Sequence, residues 1–113
     1  KGIAGIVVDG GVRDRDETVE AGFPVFARHL VPTTGRTRLR VAAIGEPVTV
    51  DGVRVAAGDW IVADDTGVLA IPADCVLEVV EMTEKFTAED AEAAKAIRNG
   101  MKFSEAMRKF GNI

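Results

Sequence analysis

A mixed α/β fold with a small β layer and C-terminal helices is predicted by three features of the sequence. Ile3-Ala4-Gly5-Ile6-Val7-Val8 is an apolar run without alternation, the pattern of a strand covered on both faces. Between residues 37 and 71, short β-branched runs alternate with turn residues, as in a compact barrel or sandwich layer. After Pro72 the chain turns to helix-forming residues with apolar positions at helical spacing.

Residues 3–8 form the first strand, and the Gly- and Asp-rich residues 9–15 a loop. Asp16 caps a short helix over 17–21, which Gly22 ends. Residues 24–27 read as a strand, and 29–35, with Pro32, Thr33, Thr34 and Gly35, as a loop. A strand is expected over 37–44. Val48-Thr49-Val50 and Val53-Arg54-Val55 flank Asp51-Gly52, a hairpin signal because both turn positions favour positive φ. Gly58-Asp59 turns into a strand at Trp60–Ala63, and Asp64-Asp65-Thr66-Gly67 turns into another at Val68–Ile71. A helix is expected over 74–84 with Val76, Leu77, Val80 and Met82 inward. Thr87-Ala88-Glu89-Asp90 resembles a capping box that opens the next helix, Gly100 stops it, and Ser104 caps a last helix ending at Gly111.

Composition narrows the function. The 113 residues suit one small domain, and 47% hydrophobic with 28% charged residues argues against disorder. A net charge of −4 disfavours nucleic-acid binding through phosphate neutralisation. No apolar run reaches the length of a membrane span and no signal peptide opens the chain, so a cytoplasmic protein is expected. The chain starts at Lys1 and enters an apolar strand at once, so we expect a missing N-terminal segment or partner chain.

Asp9-Gly10-Gly11-Val12-Arg13-Asp14 is the richest constellation. Glycines let backbone approach a ligand. Arg13 can grip a carboxylate with two parallel hydrogen bonds, and Asp14 can hold a hard cation through oxygen. Together they suit a 2-oxo acid, in which the ketone is polarised while the carboxylate is held. The same residues also make an ordinary strand-ending turn with a surface ion pair. Arg36, Arg38 and Arg40 alternate with Thr37, Leu39 and Val41, which puts them on one strand face, a solvated face first and an anion or subunit contact second. Asp59, Asp64 and Asp65 are turn aspartates. His29, the single histidine, reads as a loop or packing residue, and Trp60 as a core or interface residue. Cys75, the single cysteine, reads as a small buried residue, with a lowered pKa as the alternative.

Three segments in this order, GIVVDGGVRD, GFPVFARHLVPTTG and IGEPVTVDGVRVAAGDWIVADDTGVLAIP, resemble the RraA-like proteins, a family of ribonuclease E regulators and divalent-metal pyruvate aldolases such as 4-hydroxy-4-methyl-2-oxoglutarate aldolase. The resemblance covers residues 3–100. It implies a swivelling β/β/α domain assembled as a homotrimer or hexamer, with 1–100 the C-terminal portion of the domain; residues 101–113, beyond the resemblance, read as a helical tail suited to docking. It implies that Arg13 binds the substrate carboxylate and stabilises charge at the reacting centre, and that Asp14 ligates Mg²⁺ or Mn²⁺. The implied reaction is retro-aldol cleavage of a 4-hydroxy-2-oxo acid to pyruvate, with oxaloacetate decarboxylation as a related activity. An acidic residue and a glycine-rich loop of the family site fall upstream of Lys1. An acidic residue from an adjacent subunit's C-terminal region completes it, and Glu89 and Asp90 lie in that region. A non-catalytic regulator acting by protein binding and an assembly domain of a fusion protein are the alternatives.

Overall fold

The computed structural model describes residues 2–111. Lys1, and Asn112 and Ile113 at the end of the expected tail, lie outside the described residues. The chain forms two compact units, Lys1–Ala73 and Asp74–Ile113. It is a mixed α/β fold with small sheets in the first unit and helices in the second.

In the first unit, β1 (Ile6–Val12) and β2 (Val25–Leu30) pair in parallel and are joined through α1 (Arg15–Glu20), since parallel neighbours need a crossover. Among the described residues, the β layer consists of three two-stranded ladders. β3 (Val48–Val50) and β4 (Val53–Val55) make the expected hairpin, with φ of 50° at Asp51 and 80° at Gly52, both positive as a tight hairpin turn requires. β5 (Trp60–Ala63) and β6 (Val68–Ile71) pair antiparallel. The turn aspartates act as turn residues do. Asp64 Oδ1 accepts from the N–H groups of Thr66 and Gly67 at 2.7 and 3.2 Å. Asp59 accepts from the N–H groups of Ala56 and Ala73 at 2.8 and 3.3 Å, joining the chain entering β5 to the chain leaving β6 at the open end of the ladder.

Several sequence expectations are corrected. β1 continues through Val12, so Asp9–Gly11 are strand rather than loop, and β2 takes in His29 and Leu30. β1 is not covered on both faces: Ile6 and Val7 are exposed, because each ladder has only two strands and little packs above them. Residues 37–44 form no strand. The carbonyl of Gly35 accepts from the N–H groups of both Arg38 and Leu39, and Thr37 has φ 65°. These local bonds curl the chain, and the β-branched residues beyond find no ladder partner among the described residues. Arg36, Arg38 and Arg40 therefore share no strand face. Trp60 is 61% exposed and is not a core residue.

The second unit is a helical pair. α2 runs unbroken over Val76–Arg98, in place of the two helices expected. No Gly or Pro lies inside that span, so the capping-box pattern at Thr87–Asp90 has nothing to start. Leu77, Val80 and Met82 are exposed rather than inward. Gly100 does stop the helix: with φ 99°, its N–H reaches Ile97 O while Met101 N–H reaches Ala96 O, the bond pair of a Schellman ending. α3 (Phe103–Phe110) starts from Lys102, not Ser104, and the Lys102 carbonyl accepts from Glu105 and Ala106. The two fully buried apolar residues among those described are Ala93 on α2 and Ala106 on α3, small side chains where the helices pack.

Candidate functional site

The site begins at an irregularity in β1. Val8 is paired with Ala27 and Gly11 with His29, so Asp9 and Gly10 together stand opposite Arg28 alone. This is a β-bulge: one extra residue shifts the side-chain alternation and re-aims the residues after it. Arg28 fills the gap. Its Nε donates to Asp9 Oδ1 and its Nη2 to Asp51 Oδ1 in the hairpin turn, while Asp51 N–H donates to Asp9 Oδ2 at 3.0 Å. The bond from Arg28 and the Asp51 N–H hold the Asp9 carboxyl below the usual carboxylate range. Both oxygens of Asp9 are thus engaged, and the carboxylate joins β1, β2 and the β3–β4 turn.

Beyond the bulge, Gly11 meets Val31. A Cβ at Gly11 would lie 2.6 Å from Val31 Cγ2 and 2.9 Å from Cγ1, so the close approach requires glycine. Val31 N–H then donates to Val12 O at 2.8 Å, extending the ladder to the residue before Arg13.

Arg13 and Asp14 emerge there. Arg13 Nε lies 3.0 Å from Asp14 Oδ2, with side chains 52% and 57% exposed. Asp14 occupies the N-cap position of α1 in the left-handed region, φ 58° and ψ 44°, and its side chain makes no capping bond. Its main-chain carbonyl accepts instead from Thr18 N–H at 3.1 Å and Thr18 Oγ1 at 2.7 Å. An aspartate at a helix start ordinarily uses its carboxylate as the cap. Here the backbone takes the left-handed conformation that aspartate tolerates, and the carboxylate is turned to the arginine.

The pair borders a shallow depression of about 220 Å³ lined by Val12, Arg13, Asp14, Leu30, Val31 and Pro32, along with Arg15. A neighbouring cavity of about 370 Å³ takes in Arg13, Arg15, Arg28 and His29. The structure therefore brings Arg13 and Asp14 together as expected. Glu89 and Asp90 stand on α2 in the second unit. Cys75 is half-buried, and its thiol is pushed up rather than down, chiefly by the charge of Asp74 beside it. Sequence reasoning passes over Arg28. A lone arginine after the apolar run Val25-Phe26-Ala27 is the available signal, since a charge in a half-covered strand needs a partner.

The parallel β1–α1–β2 unit carries the Arg–Asp pair where β1 gives way to α1, and small antiparallel ladders and a helical pair follow it in the chain. The RraA-like family model, described as Aldolase/RraA, matches residues 1–70, and the chain belongs to that family. It is 36% identical over 104 residues to Protein DlpA of Legionella pneumophila, covering 92% of this chain and 17% of that protein. It is 33% identical over 100 residues to a Halalkalibacterium halodurans protein named "Putative 4-hydroxy-4-methyl-2-oxoglutarate aldolase", covering 88% of this chain and 47% of that one. The crystal structure of an uncharacterized protein from Pseudomonas syringae pv. tomato superposes with a TM-score of 0.87 at 28% identity, over 94% of this chain and 53% of the other. The chain thus spans about half the length of the last two and less of the first.

Among the described residues, no helix is long and apolar enough to cross a membrane. Among the same described residues, no group of three or more His, Cys, Asp or Glu side chains is placed to hold a metal ion. Asp14 offers one exposed carboxylate. That donor set fits a hydrated hard cation such as Mg²⁺, which keeps several waters and takes one or two carboxylates plus substrate oxygens.

Proposed function

We propose that this chain carries the Arg–Asp element of a divalent-metal-dependent pyruvate aldolase-like lyase, cleaving a 4-hydroxy-2-oxo acid to pyruvate. The observation that carries the reading is the Arg13–Asp14 pair, in which Asp14 caps α1 through its backbone while its exposed carboxylate pairs with Arg13. Family membership and the aldolase name of a relative support it.

In this reading Asp14 holds Mg²⁺ or Mn²⁺, which supplies Lewis acidity toward the 2-oxo group. Arg13 turns its guanidinium to the substrate carboxylate, a bidentate match that fixes the 2-oxo acid at the depression. As the C3–C4 bond breaks, the C4 hydroxyl gives its proton to water, C4 becomes the carbonyl carbon of the released fragment, and the electrons of the broken bond pass to the pyruvate enolate. The positive charge of Arg13 stabilises that developing anion. Protonation at C3 completes pyruvate. Oxaloacetate decarboxylation reaches the same enolate, so the same pair serves it. Assembly as a homotrimer or hexamer, with a neighbouring subunit adding an acidic group, belongs to the same proposal.

The test is pyruvate release from a 4-hydroxy-2-oxo acid by the full-length protein, with and without added Mg²⁺. Turnover that needs the metal and disappears in Arg13→Ala supports the lyase. Metal-independent turnover, or a fully active Arg13→Ala protein, overturns it. Inhibition of a ribonuclease by a protein that releases no pyruvate would favour the regulatory reading, which the many exposed apolar side chains of the first unit also suit.

A further inference from the structure

We propose that Arg28 is a positioning residue for the Arg13–Asp14 pair, acting through Asp9 at the β-bulge. The inference rests on the lyase reading for its catalytic consequence, but its structural content stands on separate observations.

Arg28 is the single β2 residue opposite the two-residue bulge of Asp9 and Gly10. A bulge without a tie can relax into regular pairing by a one-residue slip, and such a slip sends every later side chain to the other face. Arg28 opposes that slip because it grips Asp9, one of the two bulged residues, and anchors the grip in a third element through Asp51. Asp51 returns a bond from its N–H to the second oxygen of Asp9, so slippage of β1 would break bonds at both oxygens. Only Gly11 and Val12 separate the bulge from Arg13. The direction in which Arg13 and Asp14 leave the strand is therefore fixed by the registration that Arg28 holds. Arg28 also borders the cavity that takes in Arg13, yet both of its bonded partners are carboxylates of this chain, so it acts on the pair through Asp9.

Lysine cannot copy this role. It keeps the charge but not the planar fork that reaches two carboxylates in fixed directions. Arg28→Lys should therefore fall between wild type and Arg28→Ala.

The experiment compares wild type, Arg28→Ala, Arg28→Lys and Asp9→Asn in the full-length protein, by amide hydrogen exchange and by pyruvate-release kinetics with Mg²⁺. In Arg28→Ala, exchange across residues 9–18 should quicken about tenfold while residues 60–71 and 76–98 are unchanged. With it, kcat should fall at least about tenfold, the scale of losing a group that orients a ligand residue. Arg28→Lys should recover part of both. Asp9→Asn should reproduce Arg28→Ala, and the double variant should be no worse than either single one. Unchanged exchange at 9–18, quickened exchange throughout the first unit, or full kcat despite quickened exchange would each overturn the proposal. If Arg28→Ala does not fold, Arg28→Lys and Asp9→Asn decide by the same readings. If wild type itself releases no pyruvate, the lyase reading fails and the exchange pattern alone decides whether Arg28 holds the registration.

Discussion

Gly11 and Val31 stand so close that no side chain fits between them: a Cβ on Gly11 would sit 2.6 Å from one Val31 methyl and 2.9 Å from the other. Valine is stiff at χ1, so its methyls cannot both swing away. Gly11→Ala should therefore destabilise the protein by about 1–3 kcal/mol, the usual cost of overpacking. The neighbouring Gly10 is the control, because its Cβ would meet only Val8 Cγ1, at 3.9 Å. Gly10→Ala should change stability by no more than about 0.5 kcal/mol. Urea unfolding of the two variants measures the contrast. Equal midpoints would show that the Gly11–Val31 contact does not constrain the strand.

At the Arg13–Asp14 pair, the choice of substitution matters because Asp14 has φ 58°. Alanine there would combine loss of the carboxylate with added backbone strain. Asparagine tolerates the left-handed region, so Asp14→Asn isolates the charge. It should leave the far-UV circular dichroism unchanged and abolish Mg²⁺-dependent pyruvate release. Arg13→Ala should lower kcat/KM about a hundred- to a thousandfold, as removal of one group stabilising a developing oxyanion does. Arg13→Lys should recover little, because an ammonium lacks the two-pronged match to a carboxylate. An Asp14→Asn protein that keeps its metal response would remove Asp14 from the metal site.

These residues also show what the sequence could and could not reveal. The hairpin was legible because Asp51-Gly52 is a local instruction: both residues accept positive φ, and both adopt it. Gly100 was legible for the same reason. Arg13 and Asp14 were legible as a pair because they are neighbours in the chain. Arg28 and Asp9 lie 19 residues apart, and their link depends on a parallel registration that no local pattern encodes. The error at residues 37–44 is the converse. Its β-branched residues have strand propensity, but propensity in a sheet is packing against a neighbour, and none among the described residues pairs with them. The inward face expected for Leu77, Val80 and Met82 failed similarly, since helical spacing marks an apolar stripe without supplying what covers it.

The carboxylate tied by Arg28 predicts a pH dependence of stability. Asp9 titrates below the usual range because of its bonds from Arg28 and from Asp51 N–H, and Asp64 does so because of the N–H groups of Thr66 and Gly67. In the unfolded chain both return to about 3.9. Between the depressed and ordinary values the unfolded state binds more protons, so stability rises with pH there. The contribution is complete above the ordinary value and is lost as pH falls through the depressed ones. Titration of these two groups should thus leave urea midpoints independent of pH near neutrality and lower them below about pH 4. Asp9→Asn and Asp64→Asn should each be less stable than wild type at pH 7, with the difference closing as the pH drops. A difference that stays constant from pH 7 to the acid limit would show that neither carboxylate carries the dependence.

Cys75 gives a prediction of opposite sense. It sits at the N-cap position of α2, where a helix N-terminus ordinarily favours a thiolate. Its thiol is nevertheless pushed up, first by the charge of Asp74 and by a hydrogen bond to that carboxylate, then by burial and by Glu78 in the first turn. The adjacent negative charge outweighs the helix end, because a full charge one residue away exceeds the half-charge of the macrodipole. Cys75 should therefore alkylate slowly at pH 7–8, and its rate–pH profile with iodoacetamide should have its midpoint above the ordinary thiol value of about 8.5. Asp74→Asn removes the largest cause and should move that midpoint down, speeding the reaction at pH 8 several-fold. Glu78→Gln should move it less. A midpoint that Asp74→Asn leaves in place would mean that the helix end, not the neighbouring carboxylate, governs the thiol.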